Sequence, residues 1–500
     1  MHWAFKTAKE IIERRGDLDV YTIACGMTPS GSVHIGNYRE FITNYYVAKA
    51  LRSMGKTVRM IFSWDDYDRF RKVPANITVV GFEQHIGKPV SAVPNPFGEG
   101  MYGKHHQQEF EAMLGVMHDN FREFPVEFVY QTQKYTSGCY NGQIIHALKK
   151  RKQIYDIITS FKTQGGDEGQ RENYYPVSVN CGVCGKDFVD VVSFDEKTNI
   201  LEYKCLTDNT THKQDVATAN NIKLVWKVDW PMRWQYESVV FEAAGIDHHS
   251  ENGSFSVGRR IAREIFGYPE PETCTYAWVG IKGVSSGNMS SSSGVNITPQ
   301  QLLRVYEPEI IRWLFAKYHH EDSFDFGFDD IVARHYMEFD RMYANFDKLL
   351  EYDKTVLNLA LFEAPKPKTS FSDLVTLVSV PNLDPQIAKQ PRFEKAKFWL
   401  ENYMPDKIFR LLPKFNTEFF NGLDDKDKIM LENVVVVLEK HYPRMMDLFA
   451  EMNIDKTTKQ RVFWMLYNML FGRNEGPALT TYFSASDKRI IFSLLTKQKT

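Results

Sequence analysis

The residues most able to do chemistry in this 500-residue chain stand in one run, Cys25-Gly26-Met27-Thr28-Pro29-Ser30-Gly31-Ser32-Val33-His34-Ile35-Gly36-Asn37. Gly26, Gly31 and Gly36 let backbone approach a ligand closely, and the free N–H groups of a helix start bind anions. His34 and Asn37 are one helical turn apart, so both side chains reach the same phosphate or ribose. A plain strand-to-helix turn capped by Ser or Asn is the bland alternative; the length of the string Pro-Ser-Gly-x-x-His-Ile-Gly-Asn speaks against it. Three carboxylates, Asp65, Asp66 and Asp68, close a second apolar run and would either hold a cationic substrate or cap the next segment. Further on, Cys181-x2-Cys184, a hairpin through Asp195 to Asn199, then Cys205 and His212 have the spacing of a zinc knuckle, in which paired thiolates suit tetrahedral geometry. There is no second Cys-x2-Cys, so the fourth ligand falls to His212 or Asp208. Trp226, Asp229, Trp230, Arg233 and Trp234 interleave aromatic and charged groups that are costly to bury as core alone.

These residues need a scaffold, and the pattern around them supplies one. Val20 to Ala24 is apolar and β-prone, Tyr38 to Arg52 repeats apolar residues at helical spacing, and Lys56 to Ser63 reads as a second strand. Strand, helix, strand at this spacing predicts a parallel α/β sheet with a right-handed crossover and its ligands at the carboxyl ends of the strands. Val73 to Phe97, rich in Pro, Gly and Asn, reads as a loop. Phe121 to Tyr135 is strand-like, Asn141 to Phe161 helical, Ser256 to Phe266 helical, and Thr275 to Ile281 a strand. Asp329 to Tyr352, Arg392 to Leu412, Lys426 to Tyr442, Pro443 to Met452 and Lys456 to Leu470 read as helices, which makes the C-terminal third a helical bundle. Lys149-Lys150-Arg151-Lys152 is a basic run that fits a solvated helix face or an RNA backbone.

Composition excludes several classes. Hydrophobic residues at 43% and charged residues at 25% are those of a soluble globular protein, and no apolar stretch is long enough to span a bilayer. A net charge of −2 gives no global pull toward nucleic acid. Glu10 and Glu13 inside the amphipathic pattern of Met1 to Arg15 fit neither a signal peptide nor a transit sequence, so a cytoplasmic location is expected. Six cysteines in this length do not suggest a disulfide framework.

The string from Pro29 to Asn37 resembles the first signature, the HIGH motif, of class I aminoacyl-tRNA synthetases. Asn288-Met289-Ser290-Ser291-Ser292-Ser293-Gly294 stands where that family carries its second, KMSKS-like signature. Together with Val228-Asp-Trp-Pro-x-Arg-Trp234, Gly245-x-Asp247-His248 and Gly253-Ser-Phe255, the chain is similar to the class I lysyl-tRNA synthetases from about residue 20 to 320, and more weakly to the end through Gly472-Arg-Asn-Glu-Gly476-Pro477. The resemblance implies a Rossmann-like catalytic domain over 1–295, with an insertion over about 95–225 that includes a zinc module at 174–226. It further implies a connecting helical domain over 296–350 and an α-helical anticodon-binding domain over 351–500.

The activity implied is ATP-dependent formation of lysyl-adenylate and transfer to the terminal adenosine of tRNA(Lys) by a cytoplasmic monomer that uses Mg2+; the cysteine spacing of the insert suits a structural Zn2+, the alternative being a degenerate module that folds without metal. Catalysis would fall to His34, Gly36, Asn37, Asn288, Ser290, Ser291 and Ser292. ATP would be bound by Pro29, Ser30, Gly31, His34, Asn37, Met289 and Lys282, and lysine by Gly26, Thr28, Asp65, Trp226, His248 and Tyr276; Cys181, Cys184, Cys205 and His212 would hold the metal. One departure stands out: the family's serine-rich loop usually begins with Lys, and this chain has Asn288 there, with Ser293 where another Lys is often seen. Lys282 or Mg2+ is expected to replace the lost charge on the leaving pyrophosphate. The alternatives are a glutamyl- or glutaminyl-type class I enzyme, or a catalytically weak paralogue that binds tRNA.

Overall fold

The computed structural model describes residues 1–162, 166–282, 298–366 and 368–497. The chain opens with α1 (Trp3–Arg15), whose first turn is capped by His2 through its Nδ1, which accepts from the Ala4 N–H at 3.2 Å. Then come β1 (Tyr21–Met27), α2 (Ile35–Ser53), β2 (Val58–Trp64), α3 (Tyr102–Met117), β3 (Val126–Tyr130) and α4 (Gln131–Thr136). β1 lies parallel to β2, with Tyr21 opposite Val58 and Met27 opposite Trp64, and β2 lies parallel to β3. A later strand, β9 (Val239–Phe241), joins the other edge of β1, also parallel, so the sheet order is β3-β2-β1-β9. The order therefore reverses at β1, and the crevice of such a sheet opens beyond the carboxyl end of that strand. That end is Gly26 and Met27.

The strand-like character of Phe121 to Tyr135 is cut short at Tyr130, because α4 starts there. Asp66, at the end of β2, accepts the Thr132 N–H at 2.7 Å and a Gln107 Nε2 hydrogen at 3.1 Å, supplying from a distance the acceptor that a new helix needs. Asp66 is thus a cap, and only its neighbours Asp65 and Asp68 turn into the crevice.

Between α4 and β9 the chain runs through α5 (Asn141–Lys149), α6 (Arg151–Ser160), α7 (Glu168–Glu172), β4 (Val177–Val179), β5 (Val189–Asp195), β6 (Ile200–Cys205), β7 (Thr211–Asp215), β8 (Ile222–Leu224) and α8 (Trp226–Tyr236). β5, β6 and β7 form an antiparallel sheet, and the expected turn after Asp195 is present, with Asn199 at φ 57°. β4 and β8 form an antiparallel pair that sets Ser178 opposite Lys223. Tyr135, Ile144, Leu148, Ile154, Leu201, Tyr203 and Val228 share one core, so this insert is packed on its own apolar centre and on α8.

After β9 follow β10 (Ala244–Gly245), α9 (Ser254–Glu264), β11 (Thr275–Tyr276), β12 (Val279–Ile281), α10 (Pro299–Leu303), α11 (Pro308–Lys317), β13 (Phe324–Phe326) and α12 (Ile331–Ala344). The strand expected over Thr275 to Ile281 is broken in two. The Ala277 N–H bonds to the His320 carbonyl at 2.8 Å, so β11 pairs with β10 while β12 pairs with β13. Neither joins the four-stranded sheet. The second signature, Asn288 to Gly294, lies outside the described residues.

By its contacts the chain divides into a first compact unit, residues 1–302, 311–326 and 350–363, and a second, residues 303–310, 327–349 and 364–500. Among its described residues the second unit is helical throughout, with its longer helices at Pro391–Tyr403, Asp425–His441 and Lys456–Phe471. Its centre includes Tyr336 stacked on Phe371 and the buried Arg392 paired with Glu307 at 3.0 Å. The helix expected over Asp329 to Tyr352 stops at Ala344, and a new one occupies Glu351–Ala360. The one expected over Arg392 to Leu412 stops at Tyr403, since Pro405 disfavours helical backbone at Met404 before it.

Candidate active site

β1 delivers the site. Its register against β2 brings Gly26 beside Ser63, so closely that a Cβ on Gly26 would stand 2.3 Å from the Ser63 carbonyl oxygen. Only glycine fits. The turn that follows holds Thr28 to Gly31, with the Ser30 carbonyl accepting from the Tyr102 hydroxyl at 3.0 Å. α2 then starts at His34, whose N–H is accepted by Asn37 Oδ1 at 3.1 Å. Gly36 is the second obligatory glycine, because a side chain there would meet the His34 ring at 2.8 Å. Burial lowers the His34 pKa to about 4, so the imidazole is neutral at physiological pH, and its buried Nδ1 has no hydrogen-bond partner.

The ends of β1 and β2, the start of α8 and the segment after β9 enclose a cavity of about 380 Å³. All six residues expected to contact an amino acid, Gly26, Thr28, Asp65, Trp226, His248 and Tyr276, line it. Among the described residues, Pro29, Ser30, Gly31, His34 and Asn37 are not part of its wall, so the turn divides into two groups by position. Lys282, at the end of β12, donates its N–H to the Phe326 carbonyl at 2.8 Å. Asn288, Met289, Ser290, Ser291 and Ser292 lie outside the described residues.

The acids in and behind the cavity fall into two groups, those paired with a cation and those that are not. Asp68 accepts from Thr28 Oγ1 at 3.0 Å and is paired with Lys223 of β8. Burial pushes the Asp68 carboxyl up, but the Lys223 ammonium beside it prevails and holds it below the usual carboxylate range. Asp65 pairs with Arg233 of α8 at 2.7 Å; burial outweighs that partner and lifts the Asp65 pKa to about 6. Arg233 also reaches Asp229 at 3.6 Å, which in turn accepts from Tyr135. Each of these two acids therefore has its cation. Glu40 and Glu242 do not: neither makes an ion pair with a cation among the described residues. Glu40 accepts the Gly26 N–H at 2.9 Å and the Tyr276 hydroxyl at 3.1 Å, and burial raises its pKa to about 8. Glu242 accepts from Trp234 Nε1 at 2.7 Å, and burial raises its pKa to about 7. Aromatic faces complete the wall, with Trp226 stacked on Trp230 at 5.0 Å and His248 edge-on to Trp230 at 5.6 Å. Buried carboxyls without ion-pair partners beside aromatic faces can accommodate a small ligand with a cationic end and an aliphatic stem.

Four members of this arrangement, Glu40, Glu242, Lys223 and Arg233, are absent from the sequence-derived binding set. Glu40 had a signal that was available: it follows Gly36 by one helical turn. Lys223 had none, since its register opposite Ser178 is fixed only by the fold.

Outside the cavity, the thiol sulfurs of Cys181, Cys184 and Cys205 lie within 4.8 Å of one another, and a second group of Cys181, Asp208 and His212 meets the same limit. Cys184 and Cys205 are 3.7 Å apart at sulfur, too far for a disulfide and close enough to share an ion. The Val183 N–H points at Cys181 Sγ at 3.4 Å, the kind of backbone donation that stabilises a thiolate. The donor set thus fits a soft divalent metal.

A parallel sheet that reverses at a Gly-x-Thr-Pro-Ser-Gly turn, followed by a helix opening His-Ile-Gly-Asn, defines a class I aminoacyl-tRNA synthetase. The family model described as tRNA synthetases class I (K) matches residues 1–362. A lysine–tRNA ligase from Streptomyces coelicolor is 33% identical over 99% of this chain and 98% of its own length. One from Thermococcus kodakarensis is 34% identical over 99% of each chain. The chain belongs to the class I lysyl-tRNA synthetases. Among solved structures, a glutamate tRNA ligase from Elizabethkingia meningosepticum aligns with a TM-score of 0.47 at 11% identity, over 95% of this chain and 98% of that one.

Proposed function

We propose that this lysine–tRNA ligase holds lysine in the cavity between β1, β2 and α8, with its side-chain ammonium drawn to the Glu40 and Glu242 carboxylates. The observation that carries this reading is the pair of buried acids without cations, beside two acids that have theirs. A glutamate-type substrate would need the reverse, a free cation in the wall. Of the two lining guanidiniums, the buried Arg233 is already paired with Asp65, and Arg71 is exposed at the rim, so no buried cation is left for a second carboxylate.

The chemistry needs positioning more than reactive side chains. The lysine carboxylate attacks the α-phosphorus of ATP, the bond to the bridging oxygen breaks, and pyrophosphate leaves. The hydroxyl of the terminal tRNA adenosine then attacks the adenylate carbonyl and AMP departs. Thr28 and Gly26 face the amino acid. His34, neutral and with an unengaged ring nitrogen, offers a hydrogen bond at the phosphate side without adding a cation, together with the N–H groups at the start of α2. Pro29, Ser30, Gly31 and Asn37 shape the ATP side, and Met289 with the serines of 290–292, which lie outside the described residues, are assigned to ATP by family likeness. Lys282 or Mg2+ would supply the charge that Asn288 cannot. Zn2+ at Cys181, Cys184 and Cys205 is a structural element of the insert. We place the enzyme, as a class I lysyl-tRNA synthetase, in the cytoplasm and as a monomer.

Binding of lysine against norleucine tests the assignment, since norleucine keeps the stem and lacks the ammonium. Calorimetry is expected to show lysine binding with norleucine and glutamate at least ~100-fold weaker, the scale of a lost buried charge contact. Equal affinity for norleucine would remove Glu40 and Glu242 from the role given them.

A further inference from the structure

The geometry points to Asp208, not His212, as the fourth ligand of the metal site in the insert, which makes it a three-thiolate, one-carboxylate centre. This rests on the zinc reading above.

Two tight turns face each other across the site. In the first, the Cys181 N–H bonds to the carbonyl of Lys186, five residues on, at 2.8 Å; in the second, the Cys205 N–H bonds to the carbonyl of Thr210, again five residues on and again at 2.8 Å. The first turn carries a ligand three residues after its opening cysteine, Cys184, followed by Gly185 at φ 72°. The second carries Asp208 at the same offset, followed by Asn209 at φ 57°, also left-handed. Asparagine is the residue that most readily replaces glycine in that conformation. The two turns are therefore the same knuckle, and Asp208 occupies the position that its twin gives to a thiolate.

The side chains agree with the backbone. Asp208 Oδ2 lies 3.7 Å from Cys181 Sγ, and Oδ1 accepts from both the N–H and the hydroxyl of Thr210, at 2.9 and 2.5 Å. One oxygen is thus anchored while the other is aimed at the cysteines, the outer-shell arrangement of a ligating carboxylate. His212 sits on β7, its ring stacked on Tyr203 at 5.1 Å and its Nε2 in a 2.6 Å hydrogen bond with Thr210 Oγ1. Its distance to Cys181 Sγ is 4.0 Å. His212 supports Thr210, which orients Asp208.

The site also has a place in the enzyme. Cys181 follows β4 directly, β4 pairs with β8, and β8 carries the Lys223 that holds Asp68 and, through it, Thr28. The metal pins that pair of strands to the β5-β6-β7 sheet.

The test uses the full chain, purified without chelator, with zinc measured by mass spectrometry and the sites refilled with Co2+ for absorption and X-ray absorption spectroscopy. Wild type and His212→Ala are expected to hold stoichiometric zinc with a shell of three sulfurs and one oxygen. Asp208→Asn should lose affinity in a chelator competition by at least ~10-fold, while keeping its far-ultraviolet circular dichroism. Asp208→Cys should retain zinc and add a fourth sulfur, with stronger thiolate-to-cobalt charge transfer. Wild type without bound zinc or competent cobalt uptake would overturn the metal reading itself. Zinc retained by Asp208→Asn but lost by His212→Ala, or a nitrogen in the wild-type shell, would overturn only the assignment of Asp208.

Discussion

At the scale of single residues the account turns on Glu40. Its carboxyl accepts the Gly26 N–H and the Tyr276 hydroxyl, so it links two residues expected from the sequence to touch the substrate, yet it was not itself among them. Sequence spacing could group Gly26, Thr28, Asp65, Trp226, His248 and Tyr276 by family likeness, and the fold brings all six to one wall. It could not reveal which carboxylates are neutralised internally, because the Lys223–Asp68 and Arg233–Asp65 pairs join residues more than a hundred positions apart. Asp65, read as a group for a cationic substrate, spends its charge on Arg233. The pH dependence follows with a definite sign. Glu40 and Glu242, with pKa values raised to about 8 and about 7 by burial, are largely protonated below those values, and a cation favours the ionised forms. Lysine affinity should therefore rise between about pH 6 and about pH 9, with protons released on binding; Glu40→Gln should weaken lysine by roughly 30-fold or more and flatten that profile. For the ligand-free protein the sign is opposite. Values raised from 4.5 to about 8 and about 7 mean stability falls as pH rises from about 4.5 and levels off above 7 to 8, and Glu40→Gln should lessen that loss. Titration calorimetry in two buffers and thermal melts across pH check both, and a lysine affinity that falls with pH would contradict them.

At the scale of elements, α2 is the most informative segment. Its pattern announces a helix, but helical spacing does not show burial on nearly every side, where Tyr38, Tyr45 and Tyr46 are all enclosed. The helix also carries Arg39, buried, whose guanidinium donates to the carbonyls of His319, His320 and Asp322 at 3.1, 2.6 and 3.2 Å. Those carbonyls belong to the turn that breaks Thr275 to Ile281 into β11 and β12, through the bond from Ala277 to His320. No periodicity in 275–281 could have shown this, because the interruption is imposed by a segment about forty residues on. Arg39→Met would leave the Asp322 carbonyl without a donor and take one of two donors from each of His319 and His320, and should destabilise the fold by about 1–3 kcal/mol. Urea unfolding measures it; a change below about 1 kcal/mol would mean the turn finds other donors.

At the scale of the whole molecule, charge and composition were legible: with a net charge of −2, any attraction for RNA must be local. The basic run at 149–152 is a weaker candidate than its sequence suggests. Arg151 donates to the carbonyls of Arg171, Glu172 and Tyr174, and Lys152 pairs with Glu172, so two of its four cations serve the insert itself. The helical second unit was readable from 3.6-residue periodicity, while the way the chain passes between its two compact units, at 303–310, 327–349 and 364, was not, because contact between distant segments leaves no local pattern. The cavity with Glu40, Glu242, Thr28 and Tyr276, and the turn bearing His34, all belong to the first unit. The measurement that bears most directly on the account is amino-acid-dependent exchange of labelled pyrophosphate into ATP by the full chain, across all twenty amino acids, with and without tRNA. Exchange that depends on lysine and is absent with glutamate, glutamine and norleucine is the expected result; no lysine-dependent exchange under either condition, or exchange driven by glutamate, would contradict it.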